Sequence, residues 1–351
     1  MLFLVVAVIV FGRDRVLAGV LGRRALWLRS WSVVRDLWIG GALLALIAGF
    51  SLDSPYFLTR ANWLNTSSTA TEVLLLAVGE TFVICAGGID LSVGAVLGFA
   101  GTAGAWVMTQ VLSGPPTGAA AGVVALGFAA AILAGGTFGL VNGFLVAWAG
   151  IPPFVVTLGT LGVATGFGFL LNNGQEISAI PGSVATFGNT NLGGWVPVPV
   201  LITAVITIWC GLLLAKTRFG AYTLSIGDSR EAVVRAGVND RRYLLEIYTL
   251  SGVLAGVAAV LVMARLGAGS PSSGATDNLN AIAAVVIGGA SLFGGRGTII
   301  GSVIGTGIIA VLLTGLVLIN VPPFWQEVAV GVVLIVAVYI DQLRNRKTSR
   351  K

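Results

Sequence analysis

The chain of 351 residues has no histidine, two cysteines and few charges, with Asp, Glu, Lys and Arg making up 10% of it. Without histidine, the commonest general base, the commonest zinc ligand and the HExxH motif are all excluded. Cys85 and Cys210 stand inside apolar runs without metal-ligand or redox spacing, so they read as packing residues. No GxxxxGK[ST] occurs, and the nearest approach, Gly211 with Lys216-Thr217, lacks the glycine before the lysine. The chain is therefore not expected to bind ATP by that route. No metal or cofactor is expected. No span carries a nucleophile beside a base, which argues against an intramembrane enzyme.

A soluble domain carries about 25% charged residues. This chain is 56% hydrophobic with a mean hydropathy of +0.97, so its solvent must be lipid. Its 50 glycines suit that reading, because small residues let transmembrane helices approach closely.

Basic residues are absent from 61 to 215. Of 20 Lys and Arg, 17 fall into three clusters, at 13–35, 216–242 and 344–351. That is the positive-inside pattern with three cytoplasmic segments, and it accounts for the net charge of +6 without nucleic acid.

Apolar runs predict ten spans: 37–52, 70–87, 91–112, 118–148, 152–171, 198–215, 243–264, 281–293, 298–319 and 324–340. The 118–148 run is long for one helix and offers breaks near Gly135-Gly136 and Asn142-Gly143. Both termini and 216–242 then face the cytoplasm, while 53–69 and 172–197 face outside. Three parts result: a cytoplasmic or interfacial segment 1–36, a transmembrane domain 37–341 and a basic tail 342–351. Met1–Phe11 is apolar but too short to span, and lacks the features of a cleaved signal peptide. It lies in the interface or is the remnant of an extra helix. Ile151-Pro152-Pro153-Phe154 recurs as Val321-Pro322-Pro323-Phe324, a pattern that inverted repeats would produce and that chance also produces.

Four motifs stand out. Gly87-Gly88-Ile89-Asp90-Leu91-Ser92-Val93-Gly94 breaks a helix at membrane depth, where a break must be buried in protein or line a cavity. Asp90 and Ser92 either cap the next helix or meet a ligand. The break is expected to lie far from the 216–242 loop. Glu80 is a second intramembrane acid, functional or simply hydrogen-bonded between helices. In the basic loop, Asp228 is expected to cap a short helix over 229–236 that Gly237 terminates. Either the loop is merely solvated or the helix docks on a partner. Finally, Ala281–Gly301 is rich in small residues and glycine pairs, as a close crossing or a re-entrant turn requires.

The Gly87–Gly94 run resembles the GGIDLSVG signature of ribose/xylose-type monosaccharide ABC importer permeases, the inner membrane components of binding-protein-dependent transport systems. The resemblance continues through Ile151–Gly159, Thr217–Gly237, Arg265–Pro271, Ala281–Gly301, Phe324-Trp325-Gln326 and Asp341, and covers about residues 50–341. It implies an all-α integral membrane protein of about ten transmembrane helices, some broken, like a type II ABC importer permease. It also implies a second permease copy, cytoplasmic ABC ATPase subunits and an extracytoplasmic solute-binding protein as partners in the cell (inner) membrane.

The ATPase-docking coupling helix would be Gly227, Asp228, Ser229, Arg230, Glu231, Ala232, Arg235, Ala236 and Gly237. The translocation path and helix break would involve Glu80, Gly87, Gly88, Asp90, Ser92, Asn142, Asn278 and Asn280. Asp228, Ser229 and Val233 depart from the family's usual GGNxxAA. Asn280 stands where Asp is usual, Asn278 where Glu is common and Thr165 where many relatives carry Arg. These departures leave the sugar open. A permease for a furanone, nucleoside or amino acid, or an ion-coupled secondary transporter, is the alternative.

Overall fold

A computed structural model of the chain describes residues 39–111 and 121–348. The expectations for residues 1–36 fall outside these, as does the end of the basic tail. Helix α1 covers Ile39–Asp53. It is followed by α2 (Arg60–Cys85), α3 (Val93–Val111), α4 (Ala121–Ala147), α5 (Pro153–Leu171) and α6 (Gly182–Asn189). A short antiparallel hairpin, β1 (Asn191–Leu192) with β2 (Val196–Pro197), leads into α7 (Val198–Lys216) and α8 (Arg218–Arg235). The chain continues as α9 (Asp240–Leu266), α10 (Asp277–Ile287), α11 (Ile299–Leu318) and α12 (Pro323–Thr348).

Seven helices among the described residues are long and apolar enough to cross a membrane: α2, α4, α5, α7, α9, α11 and α12. The 19-residue α3 and the shorter apolar α1 and α10 bring the set to ten. The chain is an all-α membrane protein. Its centre is α2 and α9, which bury Leu75, Leu76, Phe82, Ile247 and Met263 completely or nearly so. Both Pro-Pro pairs open helices, α5 and α12, as a proline at the first helical position does.

Several elements differ from the sequence expectation. The polar stretch 53–69 is not all loop: α2 begins at Arg60, where the Thr59 hydroxyl accepts the Asn62 amide. Helix α4 is unbroken. Its Gly135, Gly139 and Gly143 recur every fourth residue and pack on α9, so they serve a seam rather than a kink. A Cβ at Gly252 would lie 2.7 Å from Gly139 Cα.

The expected helix 281–293 is replaced by the shorter α10, which starts at Asp277 and stops at Ile287. Upstream of it the chain leaves α9 at Gly267, in the left-handed region at φ 69°, and runs without helix along α3. Gly269 lies on Gly101, Pro271 on Gly98 and Gly274 on Gly94. Residues 267–287 therefore run from the end of α9 to the α10–α11 turn as an irregular half followed by a helical half.

The molecule has two poles. At one, Gly227 of α8 meets Cys85, at the end of α2, and Gly295, in the turn between α10 and α11. The opposite pole carries the β1–β2 hairpin. There Arg60 Nε donates to Gly194 O at 2.8 Å, Arg60 lies over the Trp195 ring, and Ile177 pairs with Gly269.

Candidate functional site

The break between α2 and α3 is built from hydrogen bonds supplied by neighbouring helices. Gly87 sits at φ 83°, where a side chain is strained, and Gly88 is closed off by the Tyr248 hydroxyl and Val83. The Asp90 amide donates to Glu80 Oε1 at 3.0 Å. The Ser92 amide and hydroxyl both donate to Asp90 Oδ1, at 2.9 and 2.6 Å. Asn142 Nδ2 of α4 donates to Ser92 Oγ at 2.9 Å. Thr157 Oγ1 of α5 donates to Ile89 O at 3.1 Å, and Asn278 Nδ2 of α10 donates to Leu91 O at 3.2 Å. Backbone groups freed by a break at membrane depth must be satisfied within the protein, and side chains from three helices do so here, while Asn142 of a fourth holds the Ser92 hydroxyl.

Asp90 thus accepts from Ser92 and closes the turn ahead of α3, instead of bonding the amides of the first helical turn. Of the eight residues expected at the break, seven surround this one loop. The eighth, Asn280, donates to Asp277 Oδ1 at 3.2 Å, one side of α10 away. Glu80 Oε2, Asn142 Oδ1 and the Tyr248 hydroxyl have no protein partner among the described residues, so the nest keeps hydrogen-bonding capacity in reserve.

At the same pole, α8 is kinked at Ser229 (φ −158°, ψ 96°). The expected cap moves by one residue: Ser229 Oγ, not Asp228, accepts the Ala232 amide, at 3.3 Å. A carboxylate one residue earlier lies before the kink, still in the first helical stretch. The second stretch ends as expected at Gly237 (φ 82°), with Gly237 N to Val234 O at 2.9 Å and Val238 N to Val233 O at 3.2 Å, a Schellman closure.

Asp228, Ser229, Arg230, Glu231, Ala232, Arg235, Ala236 and Gly237 are exposed, and only Val233 turns inward. Arg230 Nε donates to Asp240 Oδ2 at 2.6 Å, tying this short helix to the start of α9. Arg235 and Glu231 pair at 3.2 Å in solvent, which contributes little. Gly227 is the exception in the set. It is packed inward against Cys85, and its Cα would lie 3.7 Å from a Cβ on Gly87. The expectation that the break lies far from the 216–242 loop is therefore corrected: α8 touches it.

Sequence reasoning missed one charged pair. Arg265 Nη2, at the end of α9, donates to both carboxylate oxygens of Glu72 on α2, at 3.0 and 2.8 Å. A second acid, Glu72, in the apolar run that also holds Glu80 and a lone base closing another run were the available signals.

Residues 62–338 match the model of a family described as the branched-chain amino acid transport system / permease component. The chain belongs to this permease family. Its relatives include the D-allose transport system permease protein AlsC of Escherichia coli (strain K12), 34% identical over 305 residues, which are 87% of this chain and 90% of the relative. The fructose import permease protein FrcC of Rhizobium meliloti is 37% identical over 310 residues, 86% of this chain and 83% of its own. The ribose import permease protein RbsC of Escherichia coli (strain K12) is 34% identical over 312 residues, 87% of this chain and 92% of its own. No solved structure matches. In this permease the conspicuous buried polar loop and the exposed capped helix adjoin each other at one pole.

Proposed function

We propose that the chain is the membrane-spanning permease subunit of an ABC importer that passes a monosaccharide or similar small polyol, with ATP hydrolysed on a partner subunit. The observation that carries this reading is the similarity, over most of both chains, to permeases named for allose, fructose and ribose. The geometry supports the energetic half. ATPase subunits would dock on the exposed stretch Ser229–Gly237. A rigid helix can hand its displacement to packed neighbours, whereas a flexible loop absorbs it. Here the helix leans on Gly227, which touches the ends of α2 and the α10–α11 turn.

In this reading the pole with six basic residues at 216–242 and Arg296 in the α10–α11 turn faces the cytoplasm, with both termini on that side of a cell (inner) membrane. The hairpin pole would then receive sugar from an extracytoplasmic solute-binding protein, and a second permease copy would complete the pore. The direct test is reconstitution in vesicles with the partner ATPase and binding protein. ATP-dependent uptake of a monosaccharide is expected, measured beside an amino acid and a nucleoside. Uptake driven by an ion gradient without the ATPase would overturn the reading.

A further inference from the structure

The irregular half of residues 267–287 presents a surface that lipid cannot cover. It runs beside the apolar α3 from Gly101 to Gly94, which the importer reading places within the membrane. Its internal bonds are turn bonds only: Ser273 N to Ser270 O, Ala275 N to Ser272 O and Asp277 N to Gly274 O. The amides of Ser272, Gly274 and Thr276 have no protein acceptor among the described residues. Ser272, Ala275 and Thr276 are nonetheless exposed on the surface of the chain, and Asp277 is half-exposed beside them. Ser270 and Ser272 share a hydrogen bond at 3.0 Å on the same edge.

Irregular backbone with open amides survives at membrane depth only if it is buried in protein or bathed by water. A partly buried carboxylate there, on Asp277, also marks a polar path rather than a lipid face. The chemistry of the edge is that of polyol recognition: hydroxyls that donate and accept, a carboxylate that accepts from a sugar hydroxyl, and free amides that donate to one.

We propose that this edge, centred on Ser272, Thr276 and Asp277, lines a water-filled path through the membrane and hydrogen-bonds the hydroxyls of the polyol as it passes. The proposal rests on the importer reading above. Asp277 sets the preference among sugars, because its Oδ1 is held by Asn280 Nδ2 at 3.2 Å and a fixed carboxylate discriminates hydroxyl stereochemistry. Ser272 and Thr276 provide adjustable partners.

Single cysteines placed at Ser272 and Thr276 test this in the full chain within its complex, treated with a small, charged, water-soluble thiol reagent. Ile335→Cys, on the exposed apolar face of α12, is the comparison. The two edge cysteines are expected to react and Ile335→Cys to stay unlabelled. D-Ribose, D-allose or D-fructose, whichever is transported, slows the reaction. Asp277→Asn is expected to raise KM about tenfold with little change in kcat, since a ground-state contact to sugar is weakened. Labelling is read without transport, so a failed uptake assay and a failed path assignment remain distinguishable. Edge cysteines that resist the reagent, or that only cross-link to a second copy, overturn the proposal. Labelling without sugar protection and with an unchanged KM overturns the hydroxyl contact.

Discussion

Gly227 of α8 packs against the carbonyl of Cys85, the last residue of α2, and a side chain at 227 would collide with that backbone and with the Gly295 amide. The contact joins the exposed stretch Ser229–Gly237, the proposed docking element, to the helix break that holds Asp90. Motion of α8 is therefore passed to the end of α2 and to the α10–α11 turn, as well as to α9, to which Arg230 ties it.

Gly227→Val is expected to separate the two. Overpacking against backbone costs about 1–3 kcal/mol, because the neighbours cannot rotate away. The variant should still retain the ATPase on purification, since Ser229–Gly237 is untouched, while ATP hydrolysis no longer drives uptake. Normal uptake would show that the contact transmits nothing.

Asp90→Ala should be worse than Asp90→Asn. Both Ser92 bonds fall on Asp90 Oδ1, and an asparagine oxygen can keep accepting them. Loss of hydrogen bonds to a charged group costs about 1.5–3 kcal/mol. Thermal unfolding in detergent should follow the order wild type, Asn, Ala, with impaired transport in both variants and the ATPase still bound. Equal melting of the two variants would contradict the assigned geometry.

The position of Ser229 as cap makes a graded prediction for proline. Ala232 lies in the first turn of the short helix, where its amide bonds Ser229 Oγ, so Ala232→Pro removes a cap worth about 1 kcal/mol. Val234→Pro enters the last turn and costs about 3 kcal/mol in helix stability. Retention of the ATPase should weaken with the first and vanish with the second. Full retention by both would remove this helix as the docking element.

Arg265 and Glu72 form a two-oxygen ion pair with one partly exposed and one nearly buried side chain. Removing either alone, as in Arg265→Met, strands the other charge and should cost about 1–3 kcal/mol after allowance for solvent. The double change Arg265→Met with Glu72→Leu should recover most of that loss. A double variant no more stable than the singles would mean that the pair contributes through other contacts.

An engineered Arg235→Cys tests orientation. It should react with an impermeant thiol reagent in inverted vesicles and not in intact cells. Reaction from outside would invert the assignment of the poles.

The sequence marked the centre of the buried polar loop but not all of its surroundings. Gly87-Gly88-Ile89-Asp90 carries both the helix break and its carboxylate within four residues, so the site is legible locally. Of the neighbours that complete it, Asn142 and Asn278 were named for this site only through the family resemblance and Thr157 was missed: they come from three other helices, and nothing within any one of those segments points at Ile89, Ser92 or Leu91. Asn142-Gly143 even read as a possible break, because glycine spacing on α4 has two physical uses. Which one applies depends on whether another helix arrives to fill the groove, and α9 does.

The sequence by itself determined that this chain lives in lipid, where its basic residues cluster along the chain and that it is built from about ten apolar helices. Those follow from hydropathy, charge and length, which act segment by segment. Only the tertiary structure decided that α8 touches the break at Gly227, that the cap falls on Ser229, and that 267–287 is built as an irregular half plus a helical half. Each of these depends on backbone approaching backbone at Gly227, Gly98 or Gly274, and such approaches are set by the helices on both sides at once.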